Sequence, residues 1–109
     1  MDNGGQVYYE SGPLTSPFQA AYEPPSAYPI AYGAITPQAS QITNLLVPVA
    51  TSSSHVAFSS TRVEITNMIL GQAAGAAANL AITGNTTVQT VPYGALSTQL
   101  TSDGAVLVP

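Results

Sequence analysis

Val63-Glu64-Ile65-Thr66-Asn67-Met68-Ile69-Leu70-Gly71-Gln72-Ala73-Ala74-Gly75-Ala76-Ala77-Ala78-Asn79-Leu80-Ala81-Ile82 is the stretch on which the reading of the fold turns. Ile65, Ile69, Ala73, Ala76 and Leu80 recur at helical spacing and predict one buried face. Gly71, Gly75 and Ala78 mark a second face, small enough for another backbone to approach closely. The eighteen residues from Val63 to Leu80 would span about 27 Å as a helix. Each internal glycine costs roughly 1 kcal/mol against alanine, which points to close packing against a sheet or a cofactor in return. Gly84 is expected to end the helix. Thr66, Asn67, Gln72 and Asn79 interrupt the apolar run, whereas a membrane span needs about 20 mostly apolar residues. The segment therefore reads as a buried helix of a soluble domain, with no transmembrane segment.

Toward the carboxyl end, a second helix is expected from about Pro92 to Leu100, with Tyr93, Leu96 and Leu100 on one side and Gly104 beyond it. Between the helices, Asn85-Thr86-Thr87 matches an N-glycosylation acceptor. On the amino side, the apolar run Leu45-Leu46-Val47-Pro48-Val49 suits a short strand buried on both faces, with Pro48 placing it at an edge or near its end. Thr51-Ser52-Ser53-Ser54-His55 follows at the carboxyl end of that strand, where ligands lie in open α/β sheets. It is either a ligand lip or a solvated serine loop.

Residues 1–40 hold six prolines (Pro13, Pro17, Pro24, Pro25, Pro29 and Pro37), which exclude a helix of useful length. Val7-Tyr8-Tyr9 and Tyr28–Ile35 suit short strands, with a loop from Ser11 to Ser26. The chain thus divides into an extended Pro/Tyr-rich segment, 1–40, and a unit at 41–109 of strand, loop, long helix and short helix. The expected class is α/β.

Charge narrows the function. Only 6% of the 109 residues are charged, and the formal net charge is −4. Arg62 is the sole basic side chain and His55 the sole histidine, and cysteine is absent. Nucleic-acid binding needs several Lys or Arg, so that partner is excluded. A disulfide framework, a thiolate zinc site, a cysteine nucleophile and a multi-histidine metal site within the chain are excluded with it. Met1-Asp2-Asn3-Gly4-Gly5 has neither the basic start nor the apolar core of a signal peptide.

Three stretches resemble one family: Tyr28-Pro29-Ile30-Ala31-Tyr32-Gly33-Ala34-Ile35-Thr36-Pro37, Asn44-Leu45-Leu46-Val47-Pro48-Val49, and Ser54-His55-Val56-Ala57-Phe58-Ser59-Ser60-Thr61-Arg62-Val63-Glu64. The last runs on through Met68-Ile69-Leu70-Gly71-Gln72-Ala73-Ala74-Gly75. Together they are similar to the carboxyl-terminal part of FAD-dependent oxidoreductases, over about residues 28–108. The resemblance implies the last strand of a flavin-binding, Rossmann-like sheet (Leu45–Val49), a loop (Ala50–Thr61) and a long helix whose amino end approaches the flavin. It implies FAD as cofactor, with Ser54, Arg62, Val63 and Glu64 as the cofactor-binding residues. Helix-terminal N–H groups lack internal partners and carry partial positive charge, which suits the flavin's carbonyl edge. The alternative for Arg62 and Glu64 is a surface ion pair, worth little. His55 is the candidate catalytic acid or base, or else it orders its loop. Two positions depart from the family's pattern: Gly33 stands where an arginine is usual, and Ile65 where proline often follows the acid.

No G-x-G-x-x-G occurs in the chain, and Gly71 and Gly75 lie inside a predicted helix, so the pyrophosphate-holding turn is missing. The expectation is therefore a carboxyl-terminal segment or subunit of an FAD-dependent oxidoreductase. It would be an enzyme only when completed by a larger FAD-binding chain, and it would otherwise self-associate. The alternative is a stand-alone structural or interaction module derived from that fold. A secreted wall-associated or assembly protein would account for the low charge, with no motif behind it.

Overall fold

The computed structural model describes residues 28–107, which fold into helices and turns. Helix α1 spans His55–Thr61, α2 spans Glu64–Thr83 and α3 spans Tyr93–Ser102, with short 3-10 turns at Tyr32–Ile35 and Val88–Thr90. No strand occurs among the described residues. This corrects the expected α/β, Rossmann-like class. The expected strand Val7-Tyr8-Tyr9 and the Ser11–Ser26 loop lie outside the described residues.

The Leu45–Val49 run fails as a strand for a physical reason. An apolar run becomes a strand only when a neighbouring strand takes up its backbone groups. Here the Val47 N–H donates to the Ile35 carbonyl at 2.8 Å and the Ser52 N–H to the Ala34 carbonyl at 2.7 Å, so a turn, not a ladder, is the partner. Pro48 has no N–H to offer. Leu45 and Val49 are 43% and 61% exposed, so the run is not buried on both faces either. The expected strand at Tyr28–Ile35 is likewise replaced. The chain is extended at Ala31 and then enters the 3-10 turn, where Gly33 and Ala34 offer little to a pleated surface.

Helix α1 lies inside the stretch expected to be loop. The serine run that suggested a loop supplies its cap: the Ser54 hydroxyl accepts from the Ala57 N–H at 3.2 Å, satisfying one of the helix's orphan donors.

Helix α2 forms where its periodicity placed it. Its end is a Schellman arrangement, but the left-handed residue is Asn85 (φ 50), not Gly84 (φ −82). The Thr86 N–H reaches the Ala81 carbonyl at 2.9 Å and the Asn85 N–H the Ile82 carbonyl at 3.2 Å. Space favours glycine at position 84, since a Cβ there would sit 3.0 Å from the Leu80 carbonyl oxygen and the backbone would have to give slightly. Helix α3 ends in the same way: Gly104 is left-handed (φ 88), and the Ala105 N–H donates to the Leu100 carbonyl at 2.9 Å.

The buried face of α2 is Leu70, Ala74, Ala77 and Ala81, not the face predicted from Ile65 and Ile69, which are 73% and 57% exposed. Helix α2 packs against α3 and the Val88–Thr90 turn. Ala77 and Ala81 meet Val88, Val91, Leu96 and Leu100 in one cluster, and Ile35, Leu70 and Ala74 form a second. Tyr32 and Leu46 pack against both clusters and join them. By length and composition α2 is also apolar enough to cross a membrane, with mean hydropathy 1.2.

Among the described residues, close packing does not offset the two glycines inside α2. Nothing lies within 4 Å of a Cβ built at Gly71 or at Gly75. Gly71→Ala and Gly75→Ala are each expected to raise the unfolding free energy by roughly 1 kcal/mol in urea denaturation. A loss of stability instead would show that another surface is packed on those positions.

Candidate functional site

The residues singled out for cofactor contact fall at two helix starts. Ser54 caps α1, His55 is its first residue, Arg62 closes it, Val63 caps α2 and Glu64 opens α2. Ser54, His55, Arg62, Val63 and Glu64 are all exposed. At 1.5 Å per residue, the seven steps from His55 to Arg62 amount to about 10 Å. The structure therefore separates the Ser54–His55 pair from the Arg62–Glu64 group by the length of α1.

The α1–α2 junction has two features that bear on ligand binding. Val63 has extended backbone (φ −72, ψ 148) and no side-chain cap hydrogen bond. Its carbonyl begins the helix by accepting from the Asn67 N–H at 3.1 Å, while the amides of the first turn gain no side-chain acceptor from the cap. Beside it, Thr61 is 7% exposed and its hydroxyl has no hydrogen-bond partner. Sequence reasoning missed Thr61, because an unpaired hydroxyl has no signature in a string of letters. The uncapped amides and the chain's one guanidinium have the donor chemistry that suits the carbonyl edge of a flavin ring, which accepts hydrogen bonds and gains negative charge on reduction, while the Thr61 hydroxyl is buried away from solvent. They do not form a pyrophosphate cradle.

A second concavity lies beyond the junction. A groove of about 630 Å³ runs between residues 28–35, the Thr66–Ala73 part of α2, α3 and the tail at 104–107. None of its described lining residues is charged. Of the tyrosines in it, Tyr28 is anchored by its hydroxyl on Ser60 Oγ at 2.6 Å. Tyr32 donates to the Val88 carbonyl at 2.8 Å. Gln89 braces the same region, its Nε2 donating to the Pro37 carbonyl at 2.8 Å and the Ile42 carbonyl at 2.9 Å, while its Oε1 is buried without a partner.

Burial pushes the Tyr32 phenol above its ordinary pKa. A group whose folded pKa is raised contributes stability in full below its unfolded pKa, near 10 for tyrosine, and loses it as pH rises through the higher folded value. Unfolding free energy should thus hold to about pH 9 and fall above 10. Tyr32→Phe should be about 1 kcal/mol less stable at pH 8 and show a smaller alkaline decline in thermal melts. The junction gives a second expectation. Val63→Ser, which adds the missing cap, should raise stability by about 1 kcal/mol, read as a higher denaturation midpoint.

A family model described as FAD dependent oxidoreductase matches residues 5–100. No curated protein and no solved structure matches the chain.

Proposed function

Because this chain belongs to the FAD dependent oxidoreductase family, we propose that it supplies the flavin-ring side of an FAD site through the α1–α2 junction. The carrying observation is the uncapped first turn of α2, entered through Arg62 and beside the unpartnered Thr61 hydroxyl. When bound, FAD supplies the redox chemistry. The chain's own contribution is to hold and polarise one edge of the ring. The first amides of α2 donate hydrogen bonds, Arg62 adds a full positive charge, and both favour the charge that develops on reduction. Glu64 stabilises the helix start by its negative charge. No proton-transfer role is assigned to His55, which is exposed at the far end of α1.

The diphosphate needs a glycine-rich strand–turn–helix, and no G-x-G-x-x-G occurs in these residues. That floor is proposed to come from a larger FAD-binding chain or a further segment. The exposed Ile65, Met68 and Ile69 face of α2 offers it an apolar surface to cover, or else a second copy covers it. A second reading, a stand-alone module kept from the fold, is favoured by one observation: the helical hairpin packs a core of its own and completes the carboxyl-terminal caps of α2 and α3.

Titration of the isotope-labelled full chain with FAD, followed by amide chemical shifts, tests the first reading. Weak, saturable shifts are expected at Arg62–Thr66, reduced in Arg62→Gln. Absence of shifts there would overturn it in favour of the stand-alone module. Sub-micromolar one-to-one binding would overturn the need for a completing segment.

A further inference from the structure

The side of α2 turned away from the core carries a regular pattern. Ile65, Met68, Gln72, Gly75, Asn79 and Ile82 are all exposed, and they are spaced by three and four residues in alternation. At 3.6 residues per turn they fall in one stripe about 100° wide, opposite the buried Leu70, Ala74, Ala77 and Ala81. Its ends are apolar: Ile65 and Met68 are each 73% exposed and Ile82 is 80% exposed. None of the six is charged. Alternating spacings of three and four are those by which one helix seats another along its length.

The stripe points to its own occupant, because it is self-complementary. Reversed end to end, its spacing is unchanged, so a second α2 laid antiparallel meets it position for position. Ile65 then faces Ile82, Met68 faces Asn79 and Gln72 faces Gly75, each pair occurring twice about a two-fold axis between Ala73 and Ala74. Isoleucine meets isoleucine at both ends, and in the middle the longest polar side chain meets bare backbone. Nothing lies within 4 Å of a Cβ built at Gly75. That space admits Gln72 of a second copy, whose amide can donate to the helix carbonyls there. A parallel pair would set like against like. Gly75 on Gly75 leaves a hollow, Gln72 crowds Gln72, and the Glu64 carboxylates that open the two helices come together at one end. In the antiparallel pair those carboxylates stand about 28 Å apart along the axis, beyond the ~8 Å screening length of physiological salt, and the helix dipoles oppose favourably.

We propose that this stripe is a homodimer interface, on which α2 of a second copy of the chain lies antiparallel with Ile65 against Ile82 and Gln72 against Gly75. Of the two surfaces that could cover this face, a larger FAD-binding chain or a second copy, the self-complementary register selects the second copy. The proposal goes beyond the flavin reading and does not rest on it, since the donors of that reading stand at the end of the helix and the stripe runs along its side. The stripe is about 26 Å long, which puts the interface at the small end of specific contacts, below about 1,200 Å². Polar residues in such a seam fix the register at a cost in stability. Association is therefore weak and concentration-dependent, and the stability gain expected of Gly75→Ala belongs to the dissociated chain at high dilution.

The test uses the full chain without flavin. Sedimentation over a concentration series is expected to show a reversible equilibrium of monomer and dimer. Gly75→Glu puts a carboxylate where Gln72 of the second copy is seated, and should raise the dissociation constant roughly tenfold or more. The position is exposed and helical, so the circular dichroism of the monomer should not change. The chain has no cysteine, and introduced thiols therefore report the register directly. An equimolar mixture of Ile65→Cys and Ile82→Cys chains, oxidised under native conditions, should yield the mixed disulfide dimer, while either variant alone should yield little. Cross-linking of each variant mainly to itself overturns the proposal and indicates a parallel pair. A monomer at every concentration overturns it and gives the face to another segment or chain. A dimer that Gly75→Glu leaves intact overturns it too, and places the contact on another surface.

Discussion

The fold depends on the contact between the alanine side of α2 and the leucines of α3. Ala77 is wholly buried, Ala81 nearly so, and Leu96 is 1% exposed opposite them. Small side chains on one helix let large ones on the other approach the backbone, and dense packing of that kind returns dispersion energy for every atom brought within reach. The connection between the helices is short and sharply terminated at both ends. It carries Val88 and Val91 into the same cluster. The segment from Tyr32 to Thr43 is attached to this hairpin by a few identifiable bonds. The Tyr32 phenol reaches the Val88 carbonyl, Gln89 reaches Pro37 and Ile42, and the Val88 N–H reaches the Thr43 carbonyl at 3.1 Å. Residues 28–46 have no regular structure of more than four residues, and these cross-links are what give them a place.

How much of this could be read from the letters follows from where each determinant sits. The existence of α2 and α3 is local information: long helical periodicity, a proline at the entry to α3, and glycine or asparagine just past the ends. Which face of α2 is buried is not local. The helix is apolar around most of its circumference, so periodicity admits both the isoleucine face and the alanine face. The choice falls to α3, whose leucines fit the smaller side. The strand at Leu45–Val49 fails for the complementary reason. Its composition is right for a strand, but strand formation is a property of a pair, and the partner was assumed. Helix α1 was hidden by the serines before it, which read equally as a loop or as a cap until the hydrogen bond from Ala57 to Ser54 is seen.

At the candidate site, legibility was divided in the same way. The helix start near Val63 is legible because the helical periodicity of α2 begins there, and the structure opens α2 at Glu64. Its lack of a capping side chain can be seen there too, since valine has no oxygen. The buried, unpaired Thr61 hydroxyl could not be, and it distinguishes this junction from an ordinary exposed helix end. Buried polar groups without partners are uncommon because each forfeits its hydration. One of them adjoining a row of unclaimed amides marks a place where the chain's own stability has been left unoptimised.

The same imbalance recurs along the exposed side of α2. Ile65 and Met68 are each 73% exposed and Ile69 is 57% exposed, while Gly71 and Gly75 carry the conformational cost of glycine with nothing among the described residues within 4 Å to exploit the space. A helix selected only for its contacts with α3 would place polar residues at the first set of positions and alanine at the second. Instead one side is apolar and the adjacent positions are bare backbone, a combination suited to close approach by a further surface. The unclaimed donors at the α2 amino end lie on the same element. Membership of the FAD dependent oxidoreductase family implies FAD as the cofactor. Under the proposed reading, a surface that covers the isoleucine side of α2 would lie on the same helix as those donors, so packing and polar mismatch would be relieved by one partner.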